Sequence, residues 1–598
     1  MSNSAAPLLP KTAPFESEQI AALNRVLGAS TADQRQWLAG FLAGYAAATG
    51  NAMAAPASVP VAEKRAAEPL TILYATESGN SEALALKIQA LAKKRGFKPK
   101  AVDMADVMPT DIAKARNLLV IAATWGEGDP PQRAEPFYRA LMDEAAPRFD
   151  ETRFSVLALG DSSYVDFCLT GKKIDARLAE LGAARVSERV DCDLDFEALA
   201  DGWTDTALEA LEPADAAASA EIIPFDVRAG TEPLVEAPTW TAKNPYGAEI
   251  LEQVNLNGRW SQKETIHLEL DLSESGLTYE PGDSLAVVPR NDPALVEAIL
   301  KATGLAGDKA LAARLEGELD ITTLSRPVME AYQKLKPHRD LAALLAADGW
   351  RDFIADRQLL DLFMTFDAKL EPGELQGLLR PLAPRSYSIA SSPLAHEGEA
   401  HLLVSAVRWQ SHGLERKGVA STYMAERSKK GGSLPVFLKP NKHFRLPADN
   451  DRPLIMVGPG TGVAPFRGFL HQRQALEAKG KNWLFFGDQT FTNDFLYQLE
   501  WQQLEKDGIL TRIDAAFSRD QPEKIYVQHH MWEARRALWA WLEEGAAFYV
   551  CGDATRMAKD VEAMLLRIIA EEGQKSPDQA RAYLDDLNRT KRYQRDVY

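Results

Sequence analysis

Three short apolar segments place the strongest constraint on what the first third of this chain can fold into. They are LTILYA (70–75), LLVIAA (118–123) and FSVLAL (154–159), and helical patterns such as 81–95 and 171–182 accompany them. Each segment is continuously apolar, as in a parallel sheet that is covered by helices on both faces. The alternation of strands and helices therefore predicts a doubly wound α/β domain.

Length and charge limit the remaining possibilities. A chain of 598 residues has room for several domains of about 150 residues each. Lysine and arginine number 68 against 85 aspartate and glutamate residues, and the net charge of −17 argues against nonspecific binding to nucleic acid or anionic membranes. The three cysteines are too few for a disulfide scaffold or a four-cysteine iron–sulfur cluster, and they favour the reducing cytoplasm.

Composition shifts divide the chain into five regions. A helical unit at 13–49 contains the apolar run Trp37–Ala48, which is shorter than the roughly 20 residues that a membrane span needs. This run predicts a buried amphipathic helix or a surface for self-association, and no export signal precedes it. The regions are a helical extension with its linker (1–69), an α/β domain (70–212), a linker (213–238), a strand-rich barrel (239–450) with a helical insertion at about 292–380, and a second α/β domain (451–598).

The loop after the first predicted strand has the composition of a phosphate site without a lysine. It offers hydroxyl groups, an amide and a flexible glycine, and backbone N–H groups at the start of a helix can hold a phosphate. A plain capped turn is the alternative. The candidate residues are Thr76, Glu77, Ser78, Gly79, Asn80 and Ser81.

Two later strands end in loops that each carry an aromatic residue, Trp125 and Tyr164. Ligands of open α/β sheets bind at these strand ends, and two aromatic rings could sandwich a flat ring; packed surface aromatics are the alternative. Together with the loop at 76–81, these loops resemble the FMN pocket of flavodoxins, which implies a flavodoxin-like domain that binds FMN. The candidates here are Ala123, Thr124, Trp125, Gly126, Leu159, Gly160, Asp161, Ser162, Ser163, Tyr164, Phe167 and Cys168.

Acidic residues crowd the same strand ends. They predict either a solvated acidic face or a docking rim for a basic partner that accepts electrons. The residues are Glu127, Asp129, Asp161, Asp166, Asp191, Asp193 and Asp195.

Motifs in the strand-rich region resemble the FAD-binding barrel of the ferredoxin–NADP reductase family. RSYS (385–388) is followed by GVAST (418–422), and YEPGDSL (279–285) matches a strand and turn of these reductases. The resemblance implies an antiparallel β-barrel in which Arg385 meets the FAD pyrophosphate and Tyr387 stacks on the flavin. The candidates are Thr323, for which solvent-exposed capping is the alternative, Arg385, Ser386, Tyr387, Ser388, Leu403, Val404, Ser405, Trp409, Gly418, Val419, Ala420 and Ser421.

A strand, a glycine-rich turn and a helix open the last region, at PLIMVGPGTGVAPFRGF (453–469), and resemble the Rossmann-like NADPH domain of reductases. The glycines allow close approach of backbone to a pyrophosphate. Downstream, FSRDQPEKIYVQ (517–528) supplies the cationic and hydroxyl groups that a 2′-phosphate needs, so it predicts NADPH; a charged surface loop is the alternative. The candidates are Ser518, Arg519, Lys524, Ile525, Tyr526, Val527, Gln528 and Asp560.

The same resemblance assigns a group of residues to hydride transfer. It implies that Ser388, Cys551 and Asp596 lie beside the nicotinamide, and that Tyr598 stacks on the FAD and moves aside for the nicotinamide. A buried structural cysteine is the alternative for Cys551, and a frayed tail is the alternative for Tyr598.

The order of these regions resembles the diflavin reductases over residues 70–598, and it is most similar to the flavoprotein subunits of assimilatory sulfite reductase. The resemblance implies that electrons pass from NADPH to FAD, then to FMN, and then to a sirohaem and iron–sulfur haemoprotein (beta) subunit that reduces sulfite to sulfide for cysteine biosynthesis. It also implies a homo-oligomer formed through the N-terminal region. Two alternatives stay open: a soluble NADPH reductase for a P450 or another haem protein, and a flavin-loaded carrier whose NADPH module is inactive.

Overall fold

Parallel strand pairing organises the first part of the computed structural model, which describes Ala22 and residues 67–126, 128–212, 240–347, 349–367 and 369–598. The chain divides into two compact units, Met1–Ala67 and Glu68–Tyr598, and the elements below belong to the second. The predicted unit at 13–49 apart from Ala22, the linker at 213–238 and the acidic residue Glu127 lie outside the described residues.

Residues 68–211 form a six-stranded parallel sheet with the order β2-β1-β3-β4-β5, and β6 pairs with β4. The three strands predicted from continuous apolar segments are confirmed as β1, β3 and β4. The strands are β1 (Glu68–Ala75), β2 (Phe97–Asp103), β3 (Asn117–Ala123), β4 (Arg153–Leu159), β5 (Ala184–Arg185) and β6 (Val190–Cys192). The α-helices are α1 (Asn80–Lys94), α2 (Pro109–Ile112), α3 (Glu135–Met142), α4 (Leu169–Glu180) and α5 (Glu197–Leu211).

Alternate side chains of these strands enter two separate cores. In β3, Leu119 and Ile121 belong to one core, whereas Leu118 and Val120 belong to the other. All four side chains are fully buried. Because both faces are covered, every position of the strand must be apolar, which is why the sequence shows no period-two alternation here.

Antiparallel strands form the next region, in the order β10-β9-β14-β7-β8-β11. A bridge between Ile389 and Leu402 joins the two ends of this order, so the sheet closes on itself. The strands are β7 (Tyr246–Asn255), β8 (Thr265–Asp271), β9 (Ser284–Val287), β10 (Arg385–Ser388), β11 (Glu399–Ser405) and β14 (Ser433–Lys439), with a separate hairpin of β12 (Arg408–Ser411) and β13 (Leu414–Lys417). The helices are α6 (Pro293–Ala302), α7 (Lys309–Gly317), α8 (Arg326–Leu335), α9 (Arg339–Ala346), α10 (Trp350–Ile354), α11 (Leu359–Thr365) and α12 (Pro372–Leu378), followed after β13 by α13 (Val419–Thr422).

A second parallel sheet, with the order β17-β16-β15-β18-β19, forms the last region. The pairing of β18 with β19 places Cys551 opposite Asp596. The strands are β15 (Leu454–Pro459), β16 (Asn482–Asp488), β17 (Arg512–Phe517), β18 (Ala547–Gly552) and β19 (Tyr593–Val597). The helices are α14 (Ala464–Ala475), α15 (Phe491–Asp494), α16 (Gln498–Lys506), α17 (Val527–Glu533), α18 (Arg535–Glu543), α19 (Met557–Glu572) and α20 (Pro577–Arg589).

These three architectures confirm the predicted fold class, a multi-domain α/β chain with a flavodoxin-like sheet, an antiparallel barrel with a helical insertion and a Rossmann-like sheet. The helices of the insertion run from Pro293 to Leu378. The domain boundaries proposed from composition stay predictions. Within the described part of the chain, we find no helix of the length and apolar character that a membrane crossing requires.

Candidate flavin and nicotinamide sites

The loop between β1 and α1 presents hydroxyl groups beside the start of a helix. The Oγ1 atom of Thr76 and the Oγ atom of Ser81 are buried, and neither has a hydrogen-bond partner among the described residues. Gly79 precedes α1 with a φ of 84°, and nothing lies within 4 Å of the position that its Cβ would take. No side chain caps the start of α1. Free hydroxyls and N–H groups at a helix start fit the phosphate of FMN.

One backbone hydrogen bond joins the ends of β3 and β4, and two more close the loop after β3. The N–H of Thr124 donates to the carbonyl of Leu159 at 2.8 Å, and Trp125 and Asp129 exchange two bonds at 2.8 and 2.9 Å. Tyr164 is 55% exposed, and the indole N–H of Trp125 is buried without a partner in the described structure. An exposed ring and an unpaired donor at neighbouring strand ends fit a flat, polar ligand such as a flavin ring.

Other predicted FMN residues hold these loops in place. Asp161 accepts hydrogen bonds from the backbone N–H of Ser163 at 2.9 Å and from its hydroxyl at 2.6 Å. The N–H of Ser162 donates to Asp193 at 3.1 Å. These contacts fix the backbone of the loop that carries Tyr164.

Strand β10 carries several of the predicted FAD residues. Arg385 is exposed, whereas Tyr387 is half-buried and packs against the barrel core. Gly418 begins a tight turn before α13, in which a Cβ would lie 2.8 Å from the hydroxyl of Ser421. Because a glycine there lets backbone N–H groups approach a ligand, the arginine, the tyrosine and this turn fit the pyrophosphate and ring of FAD.

Burial limits what several predicted residues can contribute. The thiol of Cys168 lies 3.5 Å from the carbonyl of Ala158, so it faces the core rather than a ligand. The hydroxyl of Thr323 donates to Asp320 at 2.6 Å. The predicted site residues with buried side chains are Thr76, Ser81, Leu159, Cys168, Leu403, Val404, Ala420, Ser421, Val527 and Cys551.

Three strands from distant parts of the sequence meet at one polar cluster. The Ser388 hydroxyl donates to Oδ2 of Asp596 at 2.6 Å, and the Cys551 thiol lies 3.8 Å from the same oxygen. Burial raises the pKa of the Asp596 carboxyl. Burial and the neighbouring carboxylate together raise the pKa of the Cys551 thiol well above its usual value. The structure thus brings the three predicted residues together, with a protonated thiol beside a carboxyl group.

The glycine turn after β15 lies against this cluster. A Cβ at Gly462 would lie 2.1 Å from the backbone carbonyl of Cys551, so no side chain fits there. Tyr598 is 57% exposed, and its hydroxyl lies 3.1 Å from that of Thr461 in the same turn. An exposed aromatic ring beside a dinucleotide turn fits a residue that covers a flavin.

The segment predicted to select NADPH follows β17 and is hydrogen-bonded to the carboxyl end of β16. The N–H groups of Ser518 and Arg519 donate to the carbonyls of Asp488 and Gln489, at 2.9 and 2.8 Å. Val527 packs beside Gly487, where a Cβ would lie 2.9 Å away. Cationic and hydroxyl side chains at one strand end fit a 2′-phosphate. The predicted site residues of this segment with at least partly exposed side chains are Ser518, Arg519, Lys524, Ile525, Tyr526 and Gln528, and Gln528 donates to Asp560 at 3.3 Å.

Two basic residues at these sites were missed by the sequence motifs. The Nζ atom of Lys263 pairs with Asp488 at 2.8 Å and lies 3.8 Å from the Cβ position of Gly460. Arg380 donates to Asp161 at 2.6 Å. Neither residue belongs to a recognisable motif, because only pairing between distant segments brings them to the sites.

Family models match the three regions separately. A flavodoxin model matches residues 72–203, an FAD binding domain model matches 238–338, and an oxidoreductase NAD-binding domain model matches 456–563. With the sites described above, these matches define a flavoprotein oxidoreductase that carries both flavin domains and a nicotinamide-dinucleotide domain on one chain.

Curated relatives are similar over almost the entire chain. The sulfite reductase (NADPH) flavoprotein alpha-component of Bacillus subtilis (strain 168) is 44% identical over 98% of this chain and 99% of the relative. The protein of that name from Vibrio parahaemolyticus is 40% identical over 98% of this chain and 96% of its own, and that from Mannheimia succiniciproducens is 40% identical over 100% of both. The chain belongs to the family of sulfite reductase (NADPH) flavoprotein alpha-components. It is an NADPH-dependent oxidoreductase with FMN, FAD and NADPH as cofactors.

Proposed function

We propose that the chain passes electrons from NADPH through FAD and FMN to the haemoprotein subunit of a sulfite reductase, which reduces sulfite to sulfide for cysteine biosynthesis. When bound, NADPH supplies a hydride, and the two flavins carry its electrons to an acceptor. The observation that carries the proposal is the cluster of Ser388, Cys551 and Asp596 beside the glycine turn. A flavin-loaded carrier with an inactive NADPH module would have no use for this cluster.

The cluster holds protons around a fully buried thiol. Oδ2 of Asp596 accepts the Ser388 hydroxyl hydrogen at 2.6 Å, so the oxygen of that hydroxyl keeps its lone pairs for a second donor. The Cys551 thiol stays protonated because burial and the nearby carboxylate raise its pKa. A neutral thiol does not repel a transferring hydride, as a thiolate would, and the low dielectric strengthens each of these interactions.

Tyr598 is fixed at its backbone and exposed at its ring. Its N–H donates to the carbonyl of Gly552 at 3.0 Å, and its carbonyl accepts from the N–H of Ala554 at 3.1 Å. The side chain can therefore turn about its own torsions while β19 stays paired. This supports the role of Tyr598 as a gate that covers the flavin and yields to the nicotinamide.

The acidic strand ends of the flavodoxin-like region support docking of a basic partner. Asp129 and Asp191 are compensated by Lys559 at 3.6 Å and Arg189 at 2.7 Å. Asp166, Asp193 and Asp195 form no ion pair with any described residue and are at least partly exposed. Uncompensated carboxylates on an accessible rim attract a cationic surface, and they do so less at high salt.

We place the chain in the cytoplasm as a homo-oligomer that assembles through its N-terminal region, with residues 13–49 as the candidate segment. The three cysteines Cys168, Cys192 and Cys551 are free thiols, in keeping with a reducing compartment. Deletion of residues 1–60 is expected to reduce the number of chains in each particle, measured as the particle mass in solution divided by the mass of one chain. An unchanged number of chains would contradict assembly through this region.

The test of the proposed function combines the purified, flavin-loaded chain with a sirohaem and iron–sulfur haemoprotein from the same cytosol. NADPH oxidation that depends on sulfite, with formation of sulfide, is expected only when both proteins are present. The Asp596→Asn variant serves as the matched control, because it should bind both flavins and yet give little NADPH oxidation. Sulfite-dependent NADPH oxidation by the chain alone would refute the proposal, as would the absence of sulfide in the mixture.

A further inference from the structure

The side chain of Arg380 links the two predicted flavin sites. Arg380 lies between α12 and β10, outside every motif of the sequence. Its Nη1 atom donates to Oδ1 of Asp161 at 2.6 Å, in the loop after β4 that carries Tyr164. Its Nη2 atom donates at 3.1 Å to the hydroxyl of Thr323, a predicted FAD residue. One guanidinium group therefore contacts the FMN loop and an FAD loop together.

The FAD side of this link is rigid. The N–H of Asp320 donates to the backbone carbonyl of Arg380 at 2.9 Å, and the Nε atom of Arg380 donates back to Oδ2 of Asp320 at 3.1 Å. Asp320 is 9% exposed, and its carboxylate also accepts from the N–H and hydroxyl groups of Thr322 and Thr323. The guanidinium plane is thus held from two directions before it reaches Asp161.

The FMN side of the link sets the position of a stacking residue. Oδ1 of Asp161 accepts from Arg380 and also from the backbone and hydroxyl of Ser163, which immediately precedes Tyr164. Although burial opposes it, the hydrogen bonds from Ser163 and Arg380 keep the pKa of Asp161 below its usual value. The carboxylate stays charged near neutral pH, so the ion pair with Arg380 persists under working conditions.

Three other ion pairs between the flavodoxin-like region and the rest of the chain have a more exposed basic side chain, that of Arg139, Lys442 or Lys559. The side chains of Arg380 and Asp161 are 26% and 24% exposed, against 68% and 64% for Lys559 and Asp129. The pair of Arg139 with Asp585 lies between these two, at 43% and 33%. Exposed pairs are weak and readily screened by salt, whereas a partly buried guanidinium with several donors fixes geometry.

We propose that Arg380 is a positioning residue that fixes the FMN loop relative to the FAD site and thereby sets the rate of electron transfer between the flavins. The inference rests on the proposed function, since it concerns the step in which reduced FAD is oxidised and FMN is reduced by the same number of electrons. NADPH supplies those electrons, and no further reactant is needed. Arg380 acts through Asp161 and Thr323 and does not take part in hydride transfer.

Rapid mixing of the holoenzyme with NADPH tests this directly, because FAD reduction and the later FMN reduction can be followed as separate absorbance phases. In Arg380→Gln we expect FAD reduction within about twofold of wild type and FMN reduction slowed ~10-fold, since misplacement of reacting groups is costly. The KM for NADPH should not change while the FMN phase slows, a separation that a general structural defect would not produce.

Two further variants keep the test decisive. Arg380→Lys retains the charge but cannot bond to Asp161 and Thr323 together, so we expect it to bind both flavins and to show an intermediate rate. Lys559→Gln, which breaks the exposed pair with Asp129, should change the FMN phase by less than about twofold. An FMN phase at wild-type speed in Arg380→Gln and Arg380→Lys, or equal slowing in Lys559→Gln, would overturn the assignment. If wild-type FMN were never reduced, the proposed function itself would fail.

Discussion

The proposed FMN site and the proposed hydride site are built in opposite ways. The FMN site uses three loops of one parallel sheet, at the ends of β1, β3 and β4, and it presents an exposed ring and unpaired polar atoms. The hydride site joins Ser388, Cys551 and Asp596 from three strands of two sheets, and its polar atoms are already paired with one another. The first arrangement leaves polar atoms free for a ligand, whereas the second is preorganised for the role that we propose for it.

This difference separates binding from chemistry. Residues with exposed rings or unpaired polar atoms contribute to the affinity for a ligand, and truncating one of them should weaken binding by modest factors. Residues that are already fixed around a reacting position contribute to the rate, where loss of one member is far more costly. Substitutions at the proposed FMN site should therefore lower ligand affinity by modest factors. Substitutions at the proposed hydride site should lower the reaction rate by large factors.

The largest effect is expected at Asp596. Asp596→Asn should lower the rate of NADPH oxidation with ferricyanide ~10³-fold, because proton-positioning groups contribute on that scale. Since the pKa of Asp596 is raised, the wild-type rate should fall as the pH drops through that pKa and the carboxylate that accepts from Ser388 is lost. The rate of Asp596→Asn should not follow this titration. Asp586→Asn is the control, because the Asp586 side chain is 55% exposed. An equal loss of rate in Asp586→Asn would contradict a specific role for Asp596.

A smaller effect is expected from acid, and it should fall on one half of the molecule. All nine histidines follow residue 240, and burial and the charge of Arg467 lower the pKa of His401 from 6.5 to about 2. Below pH 6.5 His401 binds a proton in the unfolded chain but stays neutral in the folded chain. His401 should therefore lower the free energy of unfolding at pH 5 by about 2 kcal/mol.

Release of the two flavins on heating, followed by fluorescence at pH 7 and pH 5, measures this asymmetry. The transition that releases FAD should move to lower temperature by more than the transition that releases FMN. His401→Gln should reduce the shift of the FAD transition. Equal shifts of both transitions in the wild-type protein would show that the histidines do not set the acid response.

A still smaller effect, on the KM for NADPH, is expected at Arg519. Arg519→Ala should raise the KM for NADPH ~10-fold and leave the KM for NADH within about twofold, because only the 2′-phosphate loses a charge-assisted hydrogen bond. Steady-state assays with both dinucleotides measure the change. Arg567→Ala, which removes a 54% exposed guanidinium from α19, controls for net charge. A parallel rise for NADPH and NADH would remove Arg519 from the 2′-phosphate site.

The smallest effect is expected at Trp125, in the proposed FMN site. Trp125→Ala should weaken FMN binding ~5-fold, which is the scale of one aromatic stacking contact, and FAD content should not change. Titration of the flavin-depleted protein with FMN measures the affinity. Trp260→Ala, at an indole that is 82% exposed, should leave the affinity as it is. Unchanged FMN affinity in Trp125→Ala would show that this ring does not stack on the flavin.

Sequence patterns predict the first kind of site better than the second. Each FMN loop directly follows an apolar strand, so Thr76, Trp125 and Tyr164 can be located from local order together with the rule that such strand ends meet. Nothing local places Ser388 against Asp596, which lies 208 residues away, and only resemblance to a family suggested the group. Arg380 shows the limit of both approaches, because it has neither a motif nor a neighbour in sequence that marks its role.

The burial of the three cysteines affects how readily the protein is oxidised. Reduced flavins react with oxygen and release peroxide, whose target in a protein is the thiolate. Burial, with nearby carboxylates, raises the pKa of Cys168 to about 12 and of Cys192 to about 11, so at neutral pH roughly one thiol in ten thousand or fewer is ionised. Cys551, closest to the hydride site, is fully buried and has its pKa raised in the same direction. The cysteines of this reductase are thereby poor targets for peroxide.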